Sequence, residues 1–321
     1  MKITVAICTW NRAALLDQTL CEMHKLEIPT GVEWELLVVN NNCTDGTDAV
    51  VAEHAKGLPI LRLFEARPGL SNARNCAIAA ANGGLILWTD DDVLVSSNWL
   101  AQYAAAAERH HATAFFGGPI EPWFEGSPPE WLLAVWPHVA GVYATKEVGA
   151  SALPVSENNL PYGANFAVRT EYQLRHPYDP MLGRRPGSYL SWEETTVLRT
   201  MLRNSLTGQW VPEARVRHFI PKERQTRRYI REWFSGEGER RAQENSAQDL
   251  AMLFGRPRCF WRVFFAEEAK YQIARLFCPP RVWIEALIKS AIAWGELQAW
   301  PKYACGKAPG MKIGERPDGP S

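Results

Sequence analysis

The 321-residue chain lacks a charge excess. Lysine plus arginine and aspartate plus glutamate stand at 35 each, so overall charge gives no sign of a nucleic-acid partner and any electrostatic function must be local. No stretch reaches the roughly 18 consecutive apolar residues of a membrane-spanning helix. No Cys-x-x-Cys pair occurs for zinc or redox work. The seven cysteines, Cys8, Cys21, Cys43, Cys76, Cys259, Cys278 and Cys305, are scattered and odd in number, which suits a reducing compartment. The opening MKITVAICTWNR has one early lysine and only a short apolar run, so no secretory signal is expected. There is no internal repeat, and TWNR stands where a nucleotidyltransferase would carry a Gly-rich phosphate loop. These absences point to a soluble or peripherally attached cytoplasmic protein, large enough for one domain with an appendage.

What is present is alternation. Short β-rich apolar runs at 3–8, 34–39, 60–64 and 85–88 predict strands, and helical patterns fall between them at 13–26, 46–56 and 72–81, with Asp45 and Ser71 as candidate N-caps. Such alternation predicts an α/β fold with a mostly parallel sheet and flanking helices, whose ligands sit beyond the carboxyl ends of the strands. Conspicuous polar motifs lie at those ends: Thr9-Trp10-Asn11-Arg12, Asn40-Asn41-Asn42 and Asp90-Asp91-Asp92. From 117 to 190 the chain is rich in Pro, Gly and Trp and predicts loops, where specificity often resides. A helix is expected at 193–203, a strand at 209–216, a helical tail from 224 to about 300, and disorder over 306–321.

Three adjacent carboxylates emerging from a buried strand repel one another unless a cation or hydrogen-bond donors offset them. A hard divalent ion bridging to phosphate oxygens would do so, although a solvated turn with Asp92 as a helix cap is the plainer alternative. Asn40 to Asn42 suit an Asx turn as well as a ligand contact. Arg74 lies one turn into a helix, where a cation could reach phosphate. Glu193 and Glu194 open a helix whose dipole favours their ionised forms.

Seven motifs in order, VAICTWNR (5–12), VVNNNCTDGT (38–47), RPGLSNARN (67–75), WTDDDV (88–93), YGANFAV (162–168), SWEETTVLRTML (191–202) and VPEARVRHFIP (211–221), make residues 1–235 resemble the family 2 glycosyltransferases of the GT-A fold. The resemblance implies a GT-A domain at 1–235, a helical extension at 236–305 and the tail at 306–321. It implies inverting transfer of a sugar from a nucleotide-diphosphate donor, UDP-linked by analogy, to a hydroxyl of a saccharide or lipid-linked acceptor, in cell-surface polysaccharide or glycolipid synthesis. Thr9, Asn11, Arg12, Asn40, Asn42, Arg74, Asp90, Asp91, Gly163 and Asn165 would form the donor site, with Asn40 towards the base, Asp90 near the ribose and Asn165 near the sugar or diphosphate. Asp92 and His218 would hold Mg²⁺ or Mn²⁺. Glu194, with Glu193 second, would be the general base. The chain departs from the family's commonest pattern in having Asn40 for Asp, which leaves the base open, and Glu194 for Asp, which lengthens the reach by one methylene. The alternatives are a non-catalytic nucleotide-sugar or carbohydrate-binding protein on the same scaffold, or a sugar nucleotidyltransferase.

Two features stand outside the motifs. Arginines and lysines are dense between 215 and 241, as a phosphate or lipid-headgroup patch or as a solvated helical face. Trp283, Leu287, Ala291 and Trp294 share one helical face, suited to peripheral membrane contact or to packing within the protein.

Overall fold

In the computed structural model, which describes residues 1–183, 192–244 and 251–303, the four apolar runs are strands: β1 (Lys2–Thr9), β2 (Glu33–Asn40), β3 (Ile60–Phe64) and β4 (Leu85–Asp90). They pair in parallel in the order β3-β2-β1-β4. The central strands are continuously apolar because both sheet faces are covered, and Ile3, Val5, Leu36 and Leu87 are fully buried. Register places Thr9 opposite Asn40 and Cys8 opposite Asp90, so the polar motifs emerge along one edge of the sheet. The connecting helices are α1 (Ala13–Met23), α2 (Thr47–His54) and α3 (Leu70–Ala80).

The caps differ from the expectation. Helix α3 starts at Leu70 after Gly69, whose φ of 122° suits glycine alone, and Ser71 lies inside the helix with its hydroxyl donating to Leu182 O at 2.7 Å. Asp45 precedes α2 and accepts from Thr47 N at 3.1 Å, while its other oxygen accepts from Ala13 N at 2.9 Å and so also tethers the start of α1.

Beyond β4 the chain is more regular than a loop-rich reading predicts. It forms β5 (Val93–Val95), α4 (Trp99–Arg109), β6 (Phe115–Gly117), β7 (Ile120–Phe124), α5 (Glu130–Val139), β8 (Pro154–Val155), β9 (Phe166–Arg169) and α6 (Thr170–Arg175). The strands among them are too short to display a period of their own, and tertiary pairing makes them. Strand β9 runs antiparallel between β4 and β6. Helix α7 (Glu193–Arg203) follows as expected, but the single strand predicted at 209–216 is two: β10 (Gly208–Trp210) and β11 (Val216–Ile220). Pro212 cannot donate to a ladder, and a turn at 212–214 separates them. The main sheet is mixed, in the order β3-β2-β1-β4-β9-β6-β10-β8, and a second sheet runs β5-β11-β7.

Residues 1–126 with 140–221 form one compact unit, and residues 127–139 with those from 222 onward form another. The second unit contains α5, α8 (Arg227–Glu244), a small hairpin of β12 (Met252–Leu253) and β13 (Arg256–Pro257), α9 (Arg258–Phe277) and α10 (Pro280–Tyr303). Helices α8 and α10 cross closely through reciprocal glycines, since a Cβ on Gly238 would strike Ile292 O and one on Gly295 would strike Ser235 O. The stripe on α10 faces inward: Trp283, Leu287 and Ala291 are buried. No helix among the described residues is long and apolar enough to cross a membrane. The tail at 306–321, with Cys305, Ser191 and part of the predicted specificity loops, lies outside the described residues.

Candidate active site

Two acidic clusters meet at Asp90. In the outer one, Arg12 Nη1 donates to Asp91 Oδ1 at 3.0 Å and to Asp92 Oδ2 at 2.8 Å. Helix α1 also braces this turn from behind, with Thr19 Oγ1 donating to Asp91 O at 3.0 Å. Burial pushes the Asp91 carboxyl up, and the Asp92 charge adds to that rise, while Arg12 opposes it. Asp91 is thus held in the fold by its arginine.

His218 reaches the same cluster from 126 residues downstream of Asp92. It lies on β11, which pairs antiparallel with β5 so that His218 is opposite Val93, and Phe219 N donates to Asp92 O at 2.9 Å. Its Nε2 is 3.4 Å from Asp92 Oδ1, and its buried Nδ1 has no hydrogen-bond partner among the described residues. One ligand atom each from Asp90, Asp92 and His218 lies within 4.8 Å of the other two. Opposite ligands of a hexacoordinate Mg²⁺ or Mn²⁺ shell stand about 4.2 Å apart for bonds of about 2.1 Å, so small adjustments would close this set on an ion. Two carboxylate oxygens and an imidazole nitrogen fit a divalent cation.

In the inner cluster Arg74 is 3% exposed and lies 3.3 Å from Glu193, 3.8 Å from Glu194 and 3.8 Å from Asp90. Rings of Tyr178, Trp88 and Phe166 surround its guanidinium at 5.2, 5.7 and 6.0 Å, so cation–π attraction replaces part of its lost hydration. Burial pulls the guanidinium pKa down, but Tyr178, Glu193, Glu194 and Asp90 outweigh it and keep Arg74 charged. Glu193 is the reverse case. Burial, then the neighbouring Glu194 charge, raises it to about 8 against the pull of Arg74. Glu194 has 14% of its side chain exposed against 3% for Glu193, and its Oε1 accepts from Gly163 N at 3.4 Å. A Cβ on Gly163 would overlap the Arg74 guanidinium, which explains glycine there.

The structure thus brings Arg12, Arg74, Asp90, Asp91, Asp92, Gly163, Glu193, Glu194 and His218 together. Thr9 is buried at the end of β1, its carbonyl accepting from Asn41 N at 3.0 Å. Asn11, in left-handed backbone, accepts from Thr44 N at 2.7 Å. Asn40 is largely committed within the fold, accepting from Cys43 N at 2.8 Å and donating to Asp48 at 2.7 Å, with Asp48 held in turn by Arg62. The bond to Cys43 N reaches the amide three residues on, one further than the Asx turn expected there. Asn42 donates to Ala66 O. Asn165 is not brought to the cleft. It is fully buried, donates to Pro119 O and Ala214 O at 2.8 and 2.7 Å, and accepts from Trp99 Nε1 and Tyr103 Oη at 2.8 Å each. Its four side-chain hydrogen bonds tie the start of β9 to α4 and to the turns at Pro119 and Ala214. Two rings of the Arg74 cage, Trp88 and Phe166, lie within the motifs, but the third, Tyr178, lies in an irregular stretch that reaches α3 through Ser71 and through Asn75, which donates to Tyr178 O at 2.8 Å.

Comparison with known proteins agrees with this architecture. Residues 4–140 match the model of the family "Glycosyl transferase family 2". The poly(ribitol-phosphate) beta-N-acetylglucosaminyltransferase TarS of Staphylococcus aureus is 28% identical over 114 residues, which is 35% of this chain and 20% of that protein. The validoxylamine A glucosyltransferase of Streptomyces hygroscopicus subsp. jinggangensis is 31% identical over 106 residues, 32% of this chain and 25% of that protein. The chain thus spans about a fifth to a quarter of these curated relatives. Among solved structures, residues 1–349 of S. aureus TarS with UDP-GlcNAc superimpose with a TM-score of 0.51 at 18% identity, covering 98% of this chain and 95% of that one. The mannosyltransferase PcManGT of Pyrobaculum calidifontis, in complex with GDP-Man and Mn²⁺, gives 0.52 at 17%, covering 94% and 73%. Residues 4–140 thus carry the sequence pattern of glycosyl transferase family 2, and the chain has the GT-A fold of these glycosyltransferase structures.

Proposed function

We propose that this chain transfers a sugar from a nucleoside-diphosphate donor, UDP-linked, to a hydroxyl of a saccharide or lipid-linked acceptor, with inversion, in the synthesis of a cell-surface polysaccharide or glycolipid on the cytoplasmic side. The observation that carries this reading is the Arg74 junction, where one buried cation stands between the carboxylate of Asp90 and the carboxyl groups of Glu193 and Glu194. A cation-binding set and a solvent-reachable base stand on either side of it, as a displacement needs.

Asp90, Asp92 and His218 would hold Mg²⁺ or Mn²⁺, whose charge would offset that of a departing diphosphate. Asp90 would then serve as a ligand as well as a neighbour of the ribose. Asn11, Arg12 and Asn42 stand beyond the ends of β1 and β2, where a nucleotide would lie in a sheet of this topology, with Thr9 and Asn40 buried behind them. Glu194 is the better base because it is the more exposed of the pair, whereas Glu193 is buried against Arg74. Its carboxylate takes the acceptor hydroxyl proton as the oxygen attacks the anomeric carbon opposite the leaving diphosphate, which inverts that centre. Donors named in two solved relatives, UDP-GlcNAc and GDP-Man, support a nucleotide-sugar donor without choosing the base.

The test is product analysis with a nucleotide-sugar panel, Mn²⁺ and saccharide acceptors. Nucleoside diphosphate released in step with glycosylated acceptor is expected. Pyrophosphate release would identify a nucleotidyltransferase, and donor binding without turnover on any acceptor would favour a binding protein.

A further inference from the structure

Helix α9 is apolar on two sides. Its inner side packs within its own unit through Phe264 against Trp294, with ring centroids 4.9 Å apart, and through Phe260 against Trp300 at 5.4 Å. Its outer side carries Phe265, Ile273, Leu276 and Phe277 at 61, 61, 68 and 81% exposure. The β12–β13 hairpin just before it adds Met252 at 49% and Phe254, at its tip, at 84%. A helix with two apolar sides normally has cover on both, and an exposed apolar patch of this kind marks a contact with something else.

The charges on that outer side are of one sign. Arg258, Arg262 and Lys270 are exposed there. Neither arginine forms an ion pair among the described residues, and Lys270 meets Glu267, which is turned inward with 17% of its side chain exposed. A second copy of this chain would set unpaired arginines against one another in an apolar contact with no acid to meet them, which is costly. An anionic lipid surface supplies both an apolar layer and the opposite charge. The 20 residues of α9 would lie along such a surface, about 30 Å in length.

We propose that the outer face of α9, with the Phe254 hairpin tip, seats the protein on an anionic lipid surface. The contact is made by α9 and not by the stripe of α10, whose Trp283, Leu287 and Ala291 are buried and whose Trp294 packs on Phe264. The proposal is independent of the transfer reaction, since vesicle binding requires neither donor nor metal.

The test is co-sedimentation of the full chain with phosphatidylcholine vesicles, with and without phosphatidylglycerol. Binding should be stronger with phosphatidylglycerol and weaken as salt is raised. Phe254→Ser combined with Phe277→Ser should lower the partition coefficient by about tenfold or more, and Arg258→Gln with Arg262→Gln should remove the preference for phosphatidylglycerol. Thermal melting should be unchanged in both pairs, because these side chains are exposed. Equal binding by the phenylalanine pair and the parent, or no preference for anionic vesicles in the parent, would overturn the proposal. So would absent vesicle binding together with an oligomer that the phenylalanine pair dissociates in sedimentation velocity, which assigns the face to a second copy.

Discussion

The two arginine-centred clusters are built to different rules. Arg12 is one-third exposed and holds Asp91 and Asp92 by short hydrogen bonds of 3.0 and 2.8 Å. Arg74 is 3% exposed, stands 3.3 to 3.8 Å from three carboxylates and lies within an aromatic cage. The first is a hydrogen-bonded clasp at the edge of water, whereas the second is a fixed charge in a dry site. Replacing Arg12 should therefore cost the fold less than replacing Arg74, although both offset buried carboxylates.

The largest effects are expected on turnover. Asp92→Asn, which weakens the cation set while keeping its shape, should reduce transfer on the order of a thousandfold, and EDTA should do the same to the parent until Mn²⁺ is restored. Full activity in EDTA would remove the cation from the scheme. Glu194→Gln should lower kcat by about a hundredfold to a thousandfold with little change in donor binding, measured by thermal shift with the nucleoside diphosphate. If Glu193→Gln alone has that signature, the two glutamates exchange roles.

Much of this arrangement is legible in the chain, and what is not has a physical reason. The strand at 60–64 and the helix at 193–203 coincide with Ile60–Phe64 and Glu193–Arg203 because each carries its own period and boundary residues. The sites at Asp90 and Arg74 follow from motif order. The role of Asn165 does not. A Gly-x-Asn sequence looks the same whether the amide faces a ligand or, as here, is closed off by Trp99, Tyr103 and two carbonyls. Tyr178, Trp88 and Phe166 meet around Arg74 only after β9 inserts beside β4, a long-range pairing that no local pattern encodes. Short strands such as β10 and β8 likewise exist through their partners.

Smaller effects separate the clusters by stability. Arg74→Met leaves Glu193, Glu194 and Asp90 facing one another in a buried space and should cost about 3–5 kcal/mol in urea unfolding, less whatever protonation of Glu193 relieves. Arg12→Met should cost less, about 2 kcal/mol, because that side chain is one-third in water although it leaves the buried Asp91 and Asp92 without their cation. Equal losses would abolish the distinction drawn between them. The smallest effect concerns pH. The fold raises Glu193 to about 8, so it favours the neutral carboxyl, and this contribution to stability is complete below the ordinary value of 4.5 and is lost as pH rises towards 8. Glu193→Gln, measured in EDTA, should therefore flatten the decline of melting temperature between about pH 5 and pH 8.

The pairing of β11 with β5 has a consequence for how the molecule comes into being. Strands β1 to β4 can associate once the first 90 residues are available, but the imidazole at position 218 arrives only when a loop of more than a hundred residues closes on Val93 to Val95. Closing such a loop is slow relative to local pairing. In refolding from urea, the parallel sheet should precede the cation set, and Mn²⁺ should bind in the last kinetic phase, marking the moment at which a folded sheet becomes a competent site.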